Sequence, residues 1–116
     1  MQHKTLGNTG LQVAQICLGT MTFAGGEGIW KHVAGVEQAG ADDLVKASVD
    51  AGVNFIDTAD VYTDGQSEIT LGRSLKNLGL RGRMLLSPRR RMGGRVREGM
   101  MWGLRVGISW MPSMRV

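Results

Sequence analysis

Short apolar runs separated by polar, glycine-rich stretches set the pattern of the first 80 residues, and they predict strands alternating with helices. Residues 4–6 and 11–13 flank Gly-Asn-Thr-Gly at residues 7–10, whose glycines and asparagine suit a tight turn. A β-hairpin is therefore predicted at the start of the chain. The apolar run at residues 14–18 is too short for a helix and predicts a buried strand that ends at Gly19.

The middle of the chain predicts a loop, a helix, a strand and a second helix. The glycine-rich stretch 23–40 predicts mainly loop, with Trp30 as a candidate anchor. Residues 41–51 favour a helix, since two aspartates stand near its start and a glycine follows its end. The apolar run at 53–56 predicts a buried strand, and Ser67 suits the N-cap of another helix, in which leucines recur at helical spacing. A hairpin followed by β-α-β-α indicates an α/β fold with parallel strands and helical crossovers.

Residues 84–116 depart from this pattern and predict an irregular tail. They contain seven arginines, a single acid and six of the chain's eight methionines, with neither a helical nor a strand period. Residues 1–83 instead carry seven basic and nine acidic side chains, so the tail accounts for the formal net charge of +4. Two regions are therefore predicted: a folded part at 1–83 and an Arg/Gly/Met-rich tail at 84–116.

Length and composition narrow the class of protein. The 116 residues are too few for a complete (β/α)8 barrel, which takes about 250 residues. No apolar run reaches the roughly 18 residues that would suggest a membrane span. The single cysteine, Cys17, cannot form an internal disulfide, which fits a reducing compartment. A soluble cytoplasmic protein is the expectation.

The densest polar cluster, Asp-Thr-Ala-Asp-Val-Tyr at residues 57–62, directly follows the second predicted strand. In parallel α/β folds, chemistry collects at the C-terminal ends of strands, which is where Asp57 would lie. A carboxylate beside a phenol suggests acid–base catalysis by Asp57 and Tyr62. Spacing alone favours the simpler interpretation, an acidic surface loop.

No metal site is predicted. Asp60 and Asp64 fall at positions typical of a calcium-binding loop, but Leu71 stands where a bidentate glutamate is needed. The two histidines and the cysteine are too scattered along the chain to suggest zinc.

Several motifs in the first 83 residues resemble the N-terminal signature of the aldo-keto reductases. In chain order they are Leu-Gly-Asn-Thr-Gly-Leu at 6–11, Leu-Gly-Thr-Met-Thr-Phe at 18–23, Asp-Ala-Gly-Val-Asn-Phe-Ile-Asp-Thr-Ala-Asp-Val-Tyr at 50–62, Ser-Glu at 67–68 and Leu-Gly at 71–72. Several motifs in the right order make the resemblance highly specific, and it covers roughly residues 3–83. It implies a TIM barrel, of which this chain would form the N-terminal fragment with its hairpin.

The resemblance also implies a reaction, the NADPH-dependent reduction of aldehydes and ketones to alcohols. In that family hydride passes to the carbonyl carbon while a tyrosine protonates the oxygen. Asp57 and Tyr62 match the family's catalytic aspartate and tyrosine, and Gly19, Thr20 and Met21 match positions that approach the cofactor. The implied substrate is a small carbonyl compound.

Part of the family's catalytic machinery has no match in this chain. The family places a lysine at the end of its third strand, in Ala-Thr-Lys, where the ammonium favours ionisation of the tyrosine. This chain has Ser-Pro-Arg at residues 87–89, and the planar guanidinium of Arg89 differs from a compact ammonium. The family's histidine and main NADPH phosphate site would lie further along the barrel.

The genetic code offers an explanation of the tail as a shifted reading frame. Met-Met-Trp-Gly at residues 100–103 must be encoded ATG ATG TGG GGN, and reading from each third base gives Asp-Val-Gly. In the same frame, residues 84–90 permit Val-Val-Ile-Ala-Thr-Lys, which contains the missing lysine. We therefore predict a frameshift near Arg83 in an aldo-keto reductase gene, either genuine or a sequencing error.

Two classes of function follow from these observations. The first is a truncated aldo-keto reductase whose isolated chain is inactive, because its active site is incomplete. The alternative is a non-catalytic fragment whose tail arginines bind nucleic acid or another acidic partner, with Trp102 or Trp110 stacking on bases. The arginines form no helical stripe and the acidic N-terminal part would repel nucleic acid, so the first class is preferred.

Overall fold

A computed structural model describes residues 1–80 and 84–86 of the chain. Its first element is an antiparallel hairpin of strands β1 (His3–Thr5) and β2 (Gln12–Ala14), joined by a turn at residues 6–11. The predicted hairpin is confirmed, with each strand displaced by one residue from its predicted bounds.

A three-stranded parallel sheet follows the hairpin. Its strands lie in the order β3 (Leu18–Gly19), β4 (Phe55–Asp57) and β5 (Leu85–Leu86). The predicted α/β arrangement with parallel strands is confirmed over the part of the chain that the structure describes. Gly19 lies opposite Asp57, so β3 and β4 end side by side.

The strand predicted at residues 14–18 is wrong in its extent, because only Leu18 of that run belongs to the sheet. Ile16 is 58% exposed, although the prediction placed it in a buried strand. The side chain of Asn54 holds this part of the chain to the hairpin. Its amide donates to a carbonyl of β2 (2.8 Å), and its oxygen accepts from a β2 amide (2.9 Å).

The tail, predicted to be irregular from residue 84, begins with a strand instead. Leu85 of β5 lies opposite Phe55 of β4, and Met84 just before it is buried. A run of three apolar residues is too short to show a period, and its pairing with a distant strand is visible only in the fold. The rest of the predicted tail, residues 87–116, lies outside the described residues.

Within the described residues, three α-helices accompany the sheet: α1 (Trp30–Val33), α2 (Gln38–Asp50) and α3 (Gln66–Asn77). Helix α1 lies in the stretch predicted as loop, whereas α2 and α3 confirm the two predicted helices. The predicted N-cap is wrong, because Ser67 lies inside the first turn of α3. Gly65 occupies the cap position with a φ of +88°, which glycine adopts without steric conflict.

A small core joins these elements. Helices α2 and α3 pack against each other and against the central strand β4. The buried residues of this core are Phe23, Ala41, Val45, Ile56, Leu71, Leu75 and Met84. Because α3 is fixed on this core, the segment between β4 and α3, which carries the candidate chemistry, is anchored at both ends.

Candidate active site

Asp57 lies at the C-terminal end of β4, where the sequence predicts it, and it is half-buried. Its main chain is fixed by the residue that follows β3. The Thr20 amide donates to the Asp57 carbonyl oxygen (3.1 Å), and the Thr20 hydroxyl donates to the same oxygen (3.2 Å). The aspartate therefore stands on a strand end held by two hydrogen bonds beyond the regular ladder.

Ser67 extends this arrangement into helix α3. Its side chain is fully buried, and its hydroxyl donates to the Thr20 carbonyl (2.6 Å) while lying 3.1 Å from the Thr20 hydroxyl oxygen. The ends of β3 and β4 and the first turn of α3 are thus joined through two buried hydroxyls. The sequence interpretation of Ser67 as a helix cap missed this role, because the same residue type suits both.

Tyr62 begins a single 3-10 turn (Tyr62–Gly65) between β4 and α3. Its amide donates to the Ala59 carbonyl (3.2 Å), and its side chain is half-buried. The ring of Trp30 in α1 meets the Tyr62 ring edge-on, with centroids 6.3 Å apart and planes at 72°. Edge-to-face packing of this kind is favourable between aromatic rings. The indole predicted to anchor its loop therefore also contacts the candidate proton donor.

The two residues after Tyr62 adopt left-handed backbone conformations. Thr63 has a φ of +47° and Asp64 a φ of +54°. For a β-branched residue such as threonine this conformation is strongly disfavoured, and left-handed backbone costs roughly 1–2 kcal/mol per residue. Strain of this size persists only where surrounding contacts hold it. The sequence carries no signal of it, because neither residue is a glycine.

The three residues predicted to approach the cofactor differ in accessibility. Gly19 is exposed, and a Cβ built on it would meet no heavy atom within 4 Å. Met21 is 43% exposed. Thr20 is fully buried, and its amide, carbonyl and hydroxyl all take part in hydrogen bonds within the chain. Gly19 and Met21 are thus accessible to a cofactor at the end of β3, whereas the Thr20 side chain is buried and forms hydrogen bonds within the chain.

Other surfaces of the structure lie apart from Asp57. An open groove lined by Lys4, Ile16 and Phe55 among others has a volume of about 460 Å³, and Phe55 starts β4 at the end opposite Asp57. Within residues 1–80 and 84–86, no group of three or more His, Cys, Asp or Glu side chains could hold a metal ion. No helix among these residues is long and apolar enough to cross a membrane.

Comparison with known proteins identifies a family for most of the chain. The model of the aldo/keto reductase family matches residues 15–96, which include Asp57 and Tyr62. The match extends past Met84 into the segment predicted as tail.

Individual proteins resemble the same part of the chain. Over 81 residues it is 40% identical to a "Probable voltage-gated potassium channel subunit beta" of Oryza sativa subsp. japonica, covering 70% of this chain and 22% of that protein. Over 89 residues it is 30% identical to the aldo-keto reductase YhdN of Bacillus subtilis (77% and 25% covered). Over 93 residues it is 36% identical to the norsolorinic acid reductase of Aspergillus flavus (78% and 23% covered). The chain therefore spans about a quarter of the length of these curated relatives.

A solved structure shares the fold. The holo form of an aldo-keto reductase from Bacillus halodurans superposes with a TM-score of 0.60 at 26% identity, covering 85% of this chain and 28% of that one. The family match over more than half of the chain agrees with this likeness. The chain belongs to the aldo/keto reductase family.

Proposed function

We propose that this chain carries the proton-donating part of an aldo/keto reductase active site, with Tyr62 as proton donor and Asp57 as its catalytic neighbour. The observation that carries the proposal is the position of Asp57. It ends β4 directly opposite Gly19 at the end of β3, and Tyr62 follows on the loop that leaves the same strand. Functional groups of parallel α/β folds collect at this end of the strands.

Reduction of a carbonyl adds a hydride to carbon and a proton to oxygen. The phenolic hydroxyl of Tyr62 can hydrogen-bond to the carbonyl oxygen and then transfer its proton, which is general acid catalysis. The Trp30 ring packs edge-to-face with the Tyr62 ring and restricts the directions in which the phenol can point. A nearby cation favours release of a phenolic proton, and the family's lysine would supply it.

Gly19 and Met21 are the residues of this chain that would contact bound NADPH, since both are accessible at the end of β3. When bound, NADPH would supply the hydride for the carbonyl carbon. Thr20 would contribute indirectly by fixing the main chain of Asp57 beside it. We propose the complete barrel and the site for the NADPH phosphates only for a full-length protein, in which residues beyond this chain would form them.

We further propose that the 116-residue chain, taken alone, does not reduce carbonyls. Arg89 stands in the position of the family's lysine, and a reading frame shifted near Arg83 would permit this lysine and a family-like continuation. The small share of its relatives' length that the chain spans supports the same conclusion.

The proposed substrate is a small carbonyl compound, and the proposed location is the cytoplasm, where the exposed, unpaired Cys17 would stay reduced. Nucleic acid is not proposed as a partner. Residues 1–80 carry five basic and nine acidic side chains, and this excess of negative charge would repel phosphates.

The test is a comparison of two gene products in NADPH oxidation with a panel of aldehydes. The first is this chain, and the second is the product obtained after sequencing the gene and restoring the frame near Arg83. We expect turnover only from the second. Turnover by the 116-residue chain, or coding DNA whose alternate frame lacks the family's continuation, would contradict the proposal.

Substitutions in the restored product test the assigned roles. Tyr62→Phe keeps the ring against Trp30 and removes only the hydroxyl, so kcat should fall by about 100-fold or more. Asp43→Asn, which changes an exposed carboxylate on α2, is the matched control and should leave kcat unchanged. An unchanged kcat in Tyr62→Phe would exclude Tyr62 as the proton donor.

A further inference from the structure

Thr63, the residue after Tyr62, combines three features that rarely occur together. It is β-branched, it has a φ of +47°, and only 2% of its surface is exposed. An exposed loop could relax such a backbone by moving, whereas a buried residue stays in it only if its contacts hold it there. The contacts of Thr63 therefore hold this backbone in place.

The hydroxyl of Thr63 lies within hydrogen-bonding distance of two carbonyl oxygens. It donates to Phe23 (3.2 Å), forty positions earlier in the chain, and to Tyr62 itself (2.8 Å). Since a hydroxyl has one proton, these two acceptors share it. The main chain of Tyr62 is in this way connected to the residue at which the 23–36 loop leaves the core.

The methyl group of Thr63 faces the same loop. A Cβ built on Gly26 would lie 3.5 Å from the Thr63 methyl carbon and only 2.4 Å from the Cβ of Trp30. Because Gly26 has no side chain, Trp30 can occupy the position from which it contacts the Tyr62 ring. The loop is closed at its base, where the Ala24 amide donates to the Val36 carbonyl (2.8 Å).

We infer that Thr63 is a positioning residue for Tyr62. Its hydroxyl ties the Tyr62 main chain to the Phe23 carbonyl, and this tie holds the Tyr62 ring against the Trp30 ring. Without it, nothing holds the turn to the Phe23 carbonyl, and the phenol leaves this position whether or not the backbone is strained. The inference rests on the proposed function, because the role of Tyr62 as proton donor gives its position a catalytic meaning.

The sequence provides a specific reporter for the experiment, since Tyr62 is the only tyrosine of the chain. Fluorotyrosine incorporated into the full chain gives one fluorine NMR signal, which reports the surroundings of the Tyr62 ring without any need for turnover. The fluorine signal tests the position of the Tyr62 ring, and the activity of the restored product tests the proposed function. Each proposal can therefore be contradicted without the other.

Four variants define the test. Thr63→Val keeps the branched shape and removes the hydroxyl, and Thr63→Gly removes the hydroxyl together with the backbone strain. Loss of one hydrogen bond should raise the population of the detached ring conformer about fivefold in both. Thr63→Ser keeps the hydroxyl and should retain the wild-type signal. Thr9→Val, which removes a threonine hydroxyl that donates to the Leu6 carbonyl in the hairpin turn, is the matched control and should also retain it.

Circular dichroism establishes which variants are folded. If Thr63→Val does not fold, Thr63→Gly decides, because glycine adopts a positive φ without strain. A folded Thr63→Gly chain with the wild-type fluorine signal would overturn the inference, as would a Thr63→Ser signal displaced as far as that of Thr63→Gly. Displacement in the two variants without the hydroxyl, with retention in Thr63→Ser and Thr9→Val, is the result we expect.

Discussion

The segment around Asp57 is held from within the core, whereas the segment around Tyr62, five residues later, is held by a surface loop. Asp57 ends a strand whose carbonyl receives two hydrogen bonds from Thr20, and Ser67 fixes Thr20 in turn. Tyr62 depends on the Thr63 hydroxyl and on the contact with the Trp30 ring.

The two segments also differ in backbone strain, which is concentrated on the Tyr62 side. Over residues 1–80 and 84–86, three non-glycine residues have a positive φ, namely Ala24, Thr63 and Asp64. The first lies in the 23–36 loop, and the other two follow Tyr62. Regular structure with several redundant bonds positions the carboxylate, and a strained turn with few bonds positions the phenol. We therefore expect substitutions near Asp57 to change the free energy of unfolding more than substitutions on the Tyr62 side.

The largest effect is expected for Ile56→Ala, next to Asp57 in β4. Ile56 is fully buried, and removing its side chain leaves a cavity that should lower the free energy of unfolding by about 2–5 kcal/mol. Urea unfolding followed by circular dichroism measures this change. Ile16→Ala is the control, because Ile16 is 58% exposed and the same substitution should change the free energy by less than about 0.5 kcal/mol. Equal effects would mean that β4 is not in the core.

A smaller effect is expected for Ser67→Ala, which breaks the buried link between α3 and Thr20. The Thr20 carbonyl keeps the hydrogen bond from the Phe23 amide (3.0 Å), so this buried carbonyl is not left without a donor. The loss should be about 1–2 kcal/mol in the free energy of unfolding. Ser48→Ala on α2 removes a half-buried hydroxyl and serves as control. If both serines cost the same, the Thr20–Ser67 link does not stabilise this segment.

Helix α3 is also tied to α2 by the carboxylate of Asp42, and this tie predicts a pH dependence. The Ser74 hydroxyl (2.5 Å), the Asn77 amide (2.9 Å) and the Gln38 amide (2.8 Å) donate to its oxygens. These hydrogen bonds, that of Ser74 foremost, lower the pKa of Asp42, although partial burial opposes them.

Because the folded pKa lies below the unfolded value of about 3.9, the stabilisation is complete above that pH and is lost as the pH falls through the folded pKa. Urea unfolding as a function of pH should show this loss. Ser74→Ala should make the free energy of unfolding less dependent on pH in this range, and Ser48→Ala should not. An unchanged pH dependence in Ser74→Ala would exclude Asp42 as its source.

The local part of the fold could be predicted from the sequence, and the non-local part could not. A local sequence pattern of a few neighbouring residues predicts each of the hairpin turn, α2 and the apolar run of β4. Strand β5 was missed, because Leu85 and Leu86 form a strand only by pairing with residues thirty positions earlier. The error at residues 14–18 has a related cause, since the Asn54 side chain holds the chain there from a distance.

In the candidate site, too, the local features could be predicted from the sequence and the non-local ones could not. A motif of consecutive residues locates Asp57 and Tyr62 at the end of β4. The supporting hydroxyls do not form a motif, because serine and threonine occur equally in caps, turns and surfaces. Thr63 combines its positive φ with a hydrogen bond to the carbonyl of Phe23, forty positions earlier, and neither feature has a local sequence signal because Thr63 is not a glycine.

The smallest predicted effect is a gain in the free energy of unfolding. It tests whether the loop that supports Tyr62 stores backbone strain. Ala24 has a φ of +67° and is half-buried, so Ala24→Gly removes the backbone strain together with one partly buried methyl group and no hydrogen bond. Relief of roughly 1–2 kcal/mol, offset by the greater freedom of glycine in the unfolded chain, should raise the free energy of unfolding by about 0.5–1 kcal/mol. Ala47→Gly, at an exposed position inside α2, is the same substitution at a helical φ and should lower it by about 1 kcal/mol. Opposite signs for one substitution would show that the loop supporting Tyr62 stores backbone strain, whereas two losses of equal size would show that it does not.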